Sequence, residues 1–378
     1  VLLGLSIGSG TVFSLHYGAG NSSALRRSIF VSFVLIGAVT FLLNVAAFVW
    51  LDPILRLLQV PQDIYGMMRS YLWIIFCGIV FTFIYNFYAA LLRAVGDSVT
   101  PLWFLAVSVV LNIVLDLFFI LQLGWGIEGA AIATVIAQGA AAAGILLYTC
   151  KKRPELRLHR EDMHFDRCSL KEIVSFSTLT CVQQSVMNFG ILMIQGLVNS
   201  FGTAVMAAFA AAVKIDSFTY MPVQEFRNAF STFIAQNFGA KRYERIRRGV
   251  RSAFLTTVIF SLIVSVVVFV FAEPLMLIFV HPSETEILAT GVEYLRIEGA
   301  FYYGIGILFL LYGYYRAIRK PGMSVVLTVI SLGTRVVLSY ILAAIPSIGV
   351  TGIWWSIPIG WLLADAVGVL YYKMKNEK

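Results

Sequence analysis

Between Ser28 and Leu51 the chain carries no charged side chain, and the same holds between Arg251 and Glu273. Runs of this kind recur from one end of the sequence to the other. About 20 consecutive apolar residues form a helix long enough to cross the hydrocarbon core of a bilayer. Composition agrees: 59% of the 378 residues are hydrophobic and only 13% are charged, against roughly a quarter charged in soluble domains. A soluble globular fold is excluded. Helical spans are predicted at about 1–17, 28–51, 68–92, 100–122, 127–149, 172–199, 203–236, 249–272, 288–316, 322–344 and 350–373, the first of them incomplete.

The connections alternate in charge. One side holds Arg26, Arg27, Arg93, the 150–171 segment, the 237–251 loop, Arg316, Arg319, Lys320 and the C-terminal lysines. The other side holds Arg56, Arg69 and Arg296, while Lys214, Arg227 and Arg335 fall within spans. The positive-inside rule places the rich side in the cytoplasm. The net charge of +8 is thereby explained by orientation and calls for no nucleic acid. Phospholipid headgroups are the expected partners of these basic ends. The four cysteines form no CxxC pair and no disulfide framework. His159, His164 and Cys168 share one loop and read as part of a solvated linker rather than a metal site. The first residue is Val1, and the chain reads as lacking its natural N-terminus.

The sequence repeats itself. "YGAGNSSALRRS" from Tyr17 has a cousin in "FGAKRYERIRRG" from Phe238. At the same offset Asp52-Pro53 matches Glu273-Pro274, Pro61 matches Pro282 and Asp63 matches Glu284. After a short insertion in the second copy, Tyr71-Leu72 pairs with Tyr294-Leu295, Arg93-Ala94 with Arg316-Ala317, and Tyr148 with Tyr371. Gly126 and Gly129 pair with Gly349 and Gly352. A run of matches at near-constant spacing is an internal duplication. The second copy begins near Ser169 and holds six spans. The first copy should hold six as well, which puts about 50 residues ahead of Val1 in a parent of twelve spans. An even number per copy gives both copies the same orientation, related by an axis along the membrane normal. The expected fold is an all-α membrane protein of two six-helix lobes: 1–150 as an N-terminal lobe of spans two to six, 151–168 as a cytoplasmic linker, and 169–378 as a C-terminal lobe of spans seven to twelve. "LLQVPQD" and "IFVHPSE" read as interfacial amphipathic turns.

Taken together, "SLHYGAG", "RAVGDSVTP", "LNIVLDLFFI", "GWGIEGAAIATVIAQ" and "FIAQNFGAKRYERIRRG" resemble the bacterial branch of the multidrug and toxic compound extrusion family. The resemblance covers essentially the whole chain. It implies a two-lobe antiporter that expels amphipathic organic cations in exchange for sodium ions or protons. There are departures. His16 stands where the family often has Gln. Gln183, Gln184 and Asn188 occupy the seventh helix where some relatives carry an acid. The family's acidic residue on its first helix would precede Val1.

A charge at mid-bilayer costs on the order of 2.5–3.5 kcal/mol, so the intramembrane charges must face one another or water. The 203–236 segment holds Lys214, Asp216, Gln224, Glu225, Arg227 and Asn228, with Pro222 able to kink it. Lys214 and Glu225 share one helix face, and Asp216 and Arg227 share a neighbouring one. Glu298 lies beside Phe301 and Tyr302 in "RIEGAFYYGIG", an arrangement suited to a proton or a cationic ligand. Asn112 and Asp116 lie one turn apart on one face, suited to an ion or to joining helices; their counterparts in the second copy are Arg335 and Ser339. Asp365 on the last span and Gln184 complete the candidates.

No GxxxxGK[ST] or HExxH pattern occurs, so an enzyme is not expected and energy must come from an ion gradient. The leading expectation is a monomeric secondary antiporter for small organic cations, without cofactor, its coupling ion sodium or a proton. In it Asp216, Glu225 and Glu298 form cation sites, with Lys214 and Arg227 as their charge partners. The alternative is a flippase for a lipid-linked pyrophosphate precursor, which would use Lys214, Arg227 and Arg335. A sugar or peptide facilitator and a receptor or structural membrane protein are further readings.

Overall fold

The structure, a computed structural model, describes residues 1–57 and 62–376. The expected "LLQVPQD" turn, including Pro61, therefore falls largely outside the described residues, as does Lys378. The helices in order are α1 (Leu2–Gly18), α2 (Ser22–Val49), α3 (Leu51–Leu57), α4 (Gln62–Cys77), α5 (Ile79–Ala94), α6 (Val99–Leu117), α7 (Gly126–Lys152) and α8 (Arg167–Asn199). They continue as α9 (Thr203–Gly239), α10 (Tyr243–Val270), α11 (Ala272–Leu277), α12 (Thr285–Gly299), α13 (Tyr302–Ala317), α14 (Pro321–Ala343) and α15 (Thr351–Asn376). Eight of these are long and apolar enough to cross a membrane, and the pairs α4–α5 and α12–α13 each qualify as one bent span. With α1 they account for every span expected from the sequence.

Exposure shows what surrounds these helices. In α6 only Pro101 is buried, while Trp103, Val107, Val110 and Leu117 are exposed. So extensive an apolar face has no stable arrangement in water and is at rest against acyl chains.

Two expected spans are corrected. The 68–92 segment is not one straight helix: it breaks at Gly78 with a bend of 41°. The 288–316 segment breaks at Ala300–Phe301 with a bend of 52°. The two breaks fall at corresponding places in the two copies. Pro222, by contrast, lies inside an uninterrupted α9.

The duplication is legible in the backbone itself. Gly20 (φ 69), Gly96 (φ 96) and Gly126 (φ 54) have left-handed counterparts at Lys241 (φ 56), Arg319 (φ 62) and Gly349 (φ 55). The ends of α1 and α9 close with the same pair of hydrogen bonds. Gly20 N–H donates to Tyr17 and Asn21 N–H to His16; Lys241 N–H donates to Phe238 and Arg242 N–H to Asn237. This is the Schellman geometry, which needs a left-handed residue just past the helix. The first copy supplies glycine there, and the second a lysine.

The chain divides into two compact units, Val1–Thr178 and Leu179–Lys378, with the boundary inside α8. In the first unit α1 meets the start of α8 closely: a Cβ on Gly8 would stand 2.6 Å from the Ser177 Cα, and Ser177 donates to the Leu5 carbonyl at 3.1 Å. The 150–171 segment is tied down at both ends. Arg153 pairs with Asp97 at 3.1 Å, and Arg26 pairs with Asp162 at 2.7 Å. Burial pushes the Asp162 carboxyl up, but Arg26 and the His159 backbone outweigh it and hold the group below the usual carboxylate range. In the second unit the core is aromatic. Trp354 is fully buried; it stacks on Phe209 at 5.6 Å and meets Tyr294 edge-on at 4.9 Å. α14 and α15 touch through backbone, because a Cβ on Gly360 would lie 2.4 Å from the Ser331 carbonyl oxygen.

Candidate functional site

α9 is the least lipid-like helix, and its 3.6-residue period sorts its charges into two sets. Asp216 and Arg227 are buried, whereas Lys214 and Glu225 are exposed. The buried side of α9 packs against α12 and α13, whose break turns the end of one and the start of the other toward it. Asp216 lies at the meeting point. Its carboxylate accepts from the Tyr294 hydroxyl of α12 at 2.7 Å and from the Tyr302 hydroxyl of α13. One turn along α9, Tyr220 donates to Glu298 of α12. Asp216 and Glu298 are each 2% exposed. One Glu298 oxygen, Oε2, has no hydrogen-bond partner. A buried acid with an idle oxygen is costly unless a proton or cation completes it.

These groups border a cavity of about 270 Å³. Its wall includes Asp216, Tyr220, Tyr294 and Glu298, with Arg335 and Trp361 from α14 and α15. Tyr220 meets Tyr302 and Trp361 edge-on at 5.7 and 6.4 Å, so aromatic rings frame the acids. Asp365, one turn beyond Trp361, is 7% exposed and neither of its carboxyl oxygens has a partner. It abuts Gly304, where an added Cβ would lie 3.7 Å from Oδ2.

Of the residues singled out from the sequence, the structure brings Asp216 and Glu298 together and sets Asp365 behind them. It does not bring in the rest. Lys214 and Arg227 are not charge partners of the acids, which corrects that expectation. Lys214 is exposed and rests over the Phe279 ring at 5.7 Å. Arg227 is buried over the Phe309 ring at 5.1 Å, with Asn228 as a 3.5 Å neighbour. A helix face fixes which way a side chain leaves the axis, not which ion it meets on another helix. Glu225 reaches only Asn228, at 3.5 Å. Gln184 is half-buried with no partner among the described residues, while the adjacent Gln183 accepts from Arg316 at 3.2 Å. Asn112 and Asp116 belong to the first unit. Asn112 reaches Thr134 at 3.4 Å, and Asp116 Oδ1 is buried without a partner.

Tyr294 is the functional neighbour the sequence reading did not assign, and Tyr302, expected beside Glu298, bonds Asp216 instead. A signal for them existed in the duplication. Tyr294, Glu298 and Tyr302 correspond to Tyr71, Ile75 and Ile79 in the first copy. The second copy thus departs from an apolar pattern at two positions one turn apart, and both departures face Asp216.

A twice-written helical membrane chain with an acid cluster walled by aromatic rings points to a class: multi-pass membrane transporters rather than enzymes. The comparisons make it specific. The family model described as MatE matches residues 1–118 and 180–341, once in each copy. A probable multidrug resistance protein of Bacillus subtilis (strain 168), YpnP, is 32% identical over 379 residues, spanning 100% of this chain and 84% of its own length. Among solved structures, the Vibrio cholerae MATE transporter VcmN, in a mutant form, superposes with a TM-score of 0.93 at 25% identity, covering 100% of this chain and 85% of that one. A MOP superfamily transporter from Pyrococcus furiosus shares the fold, with a TM-score of 0.93 at 21% identity over 99% of this chain and 84% of that one. The chain belongs to the MatE family of multidrug efflux transporters.

Proposed function

We propose that this chain is an antiporter for organic cations and that Asp216 and Glu298 form its cation site. The observation that carries the reading is a pair of buried carboxyls on one cavity wall, with an idle Glu298 oxygen. The cavity holds two acids against one base, Arg335. Its volume of about 270 Å³ lies at the lower edge of sites for drug-sized molecules, roughly 300–1,000 Å³. It therefore suits a coupling ion, a proton or sodium, better than a whole drug. Carboxylate and phenol oxygens are hard donors that suit either. In this mechanism Asp216 and Glu298 carry the ion, Tyr220, Tyr294 and Tyr302 hold the carboxyls in place, and Asp365 stands as a neighbouring acid. Ion entry weakens the hold on an organic cation, and the cation leaves outward.

A second reading, export of an anionic or phosphate-bearing substrate, draws on Arg227 and Arg316, which are buried and, among the described residues, form no ion pair. The Pyrococcus furiosus transporter is described as having a binding pocket of reverse polarity that suggests a different function. The test is efflux of a fluorescent organic cation from vesicles containing the protein, with a sodium gradient and a pH gradient imposed separately. Asp216→Asn and Glu298→Gln should each cut ion-driven efflux at least tenfold while leaving the protein folded and inserted. Undiminished efflux in both variants, or transport of anions alone, sinks the proposal.

A further inference from the structure

At the arginine-rich end of the second unit, α10, α13 and α15 leave a groove of about 560 Å³ between them. Its depth is apolar, walled by Phe254 of α10, Ile307, Leu310 and Leu311 of α13, and Val369 of α15. Its mouth is basic: Arg247, Arg248 and Arg251 of α10 face Lys373 of α15, with Glu244 as the one acid. Among the described residues none of these four cations has an ion-pair partner. Tyr314 and Tyr372 meet edge-on at 5.3 Å where the two zones join, and neither hydroxyl has a hydrogen-bond partner among the described residues. The outward side of α10 just below the mouth, at Leu255, Ile259 and Leu262, is exposed apolar surface of the kind that lies against acyl chains.

We propose that this groove binds one anionic glycerophospholipid of the arginine-rich leaflet, its phosphate among Arg247, Arg251 and Lys373 and an acyl chain along Phe254 and Leu310. Charge selects the headgroup. Arginine forks match phosphate oxygens, and four cations against one acid leave a surplus that no other described residue neutralises. Polarity order selects the rest. The basic mouth sits where headgroups lie and the apolar wall runs toward the bilayer interior, so an amphiphile satisfies both at once. A soluble phosphate would leave the wall unfilled, and a zwitterionic lipid would bring a second cation into a basic mouth. The site is separate from the cavity at Asp216 and Glu298, with which it shares no lining residue.

The test uses the full chain in detergent, titrated with phosphatidylglycerol, phosphatidylcholine or glycerol 3-phosphate and followed by native mass spectrometry. The expected result is one phosphatidylglycerol retained under conditions that strip phosphatidylcholine, with no competition from glycerol 3-phosphate. Arg247→Gln and Arg251→Gln should each weaken retention about fivefold. Arg242→Gln and Arg245→Gln, exposed in the same basic segment but outside the groove, should leave it unchanged. Phe254→Ser should lower retention of long-chain more than short-chain phosphatidylglycerol. Equal weakening by the Arg242 and Arg245 variants would overturn the site in favour of diffuse surface attraction. Displacement by glycerol 3-phosphate, or equal retention of phosphatidylcholine, would overturn it as well.

Discussion

Lys241 offers a measurement in which the protein supplies its own control. It holds φ 56, the place taken by Gly20 with φ 69 in the first copy. A side-chain-bearing residue in the left-handed region costs about 1–2 kcal/mol. Glycine returns about 0.5–1 kcal/mol of that through its greater freedom in the unfolded chain. The net expectation for Lys241→Gly is stabilisation by roughly 0.5–1 kcal/mol. Nothing else should change, since Lys241 is exposed and its side chain has no partner among the described residues. Across a cooperative unit of this size the midpoint should rise by about 1–3 °C. Gly20→Ala should move it the other way by a similar amount. A Cβ there meets nothing within 4 Å, so strain alone is introduced. Tryptophan fluorescence of the detergent-solubilised protein during heating reads both variants. A lowered midpoint for Lys241→Gly, or a raised one for Gly20→Ala, would refute the account of the two caps.

Trp354→Ala, at the fully buried centre of the aromatic core, should cost about 3–5 kcal/mol and sharply reduce folded yield on size-exclusion chromatography. Gly360→Val should fail similarly, because its Cβ meets the Ser331 carbonyl at 2.4 Å, a backbone atom that cannot move aside; Ser331→Ala should not rescue it. Asp162→Asn should lower the thermal midpoint at neutral pH by breaking the 2.7 Å pair with Arg26. Since the folded Asp162 titrates below its ordinary value of 3.8, its contribution is complete above that value and fades as pH falls through the folded one. The wild-type and variant midpoints should therefore converge in acid, and a gap that widens in acid would contradict the pairing.

Much of the architecture was readable from residues because the bilayer leaves a chain few choices. Uncharged runs located the spans, and matched signposts such as Gly126 with Gly349 located the duplication. The bends at Gly78 and at Ala300–Phe301 were not readable, since both interrupt runs whose apolar character continues across the break. At the site, burial of Asp216 and exposure of Lys214 followed from helical period once one face was known to pack. The pairing of Asp216 with tyrosines from two other segments did not follow, because period says nothing about neighbours distant in sequence. Comparing the copies position by position, with Glu298 against Ile75 and Tyr302 against Ile79, would have drawn attention to the right place.

The break between α12 and α13 gives the acid at Asp216 a mechanical meaning. Tyr294 comes from one half-helix and Tyr302 from the other, so a single carboxylate works as a clasp across a joint bent by 52°. Whatever draws on those oxygens competes with the phenols that fasten the two arms. Losing that carboxylate would release both arms at once, since each is fastened to the same group.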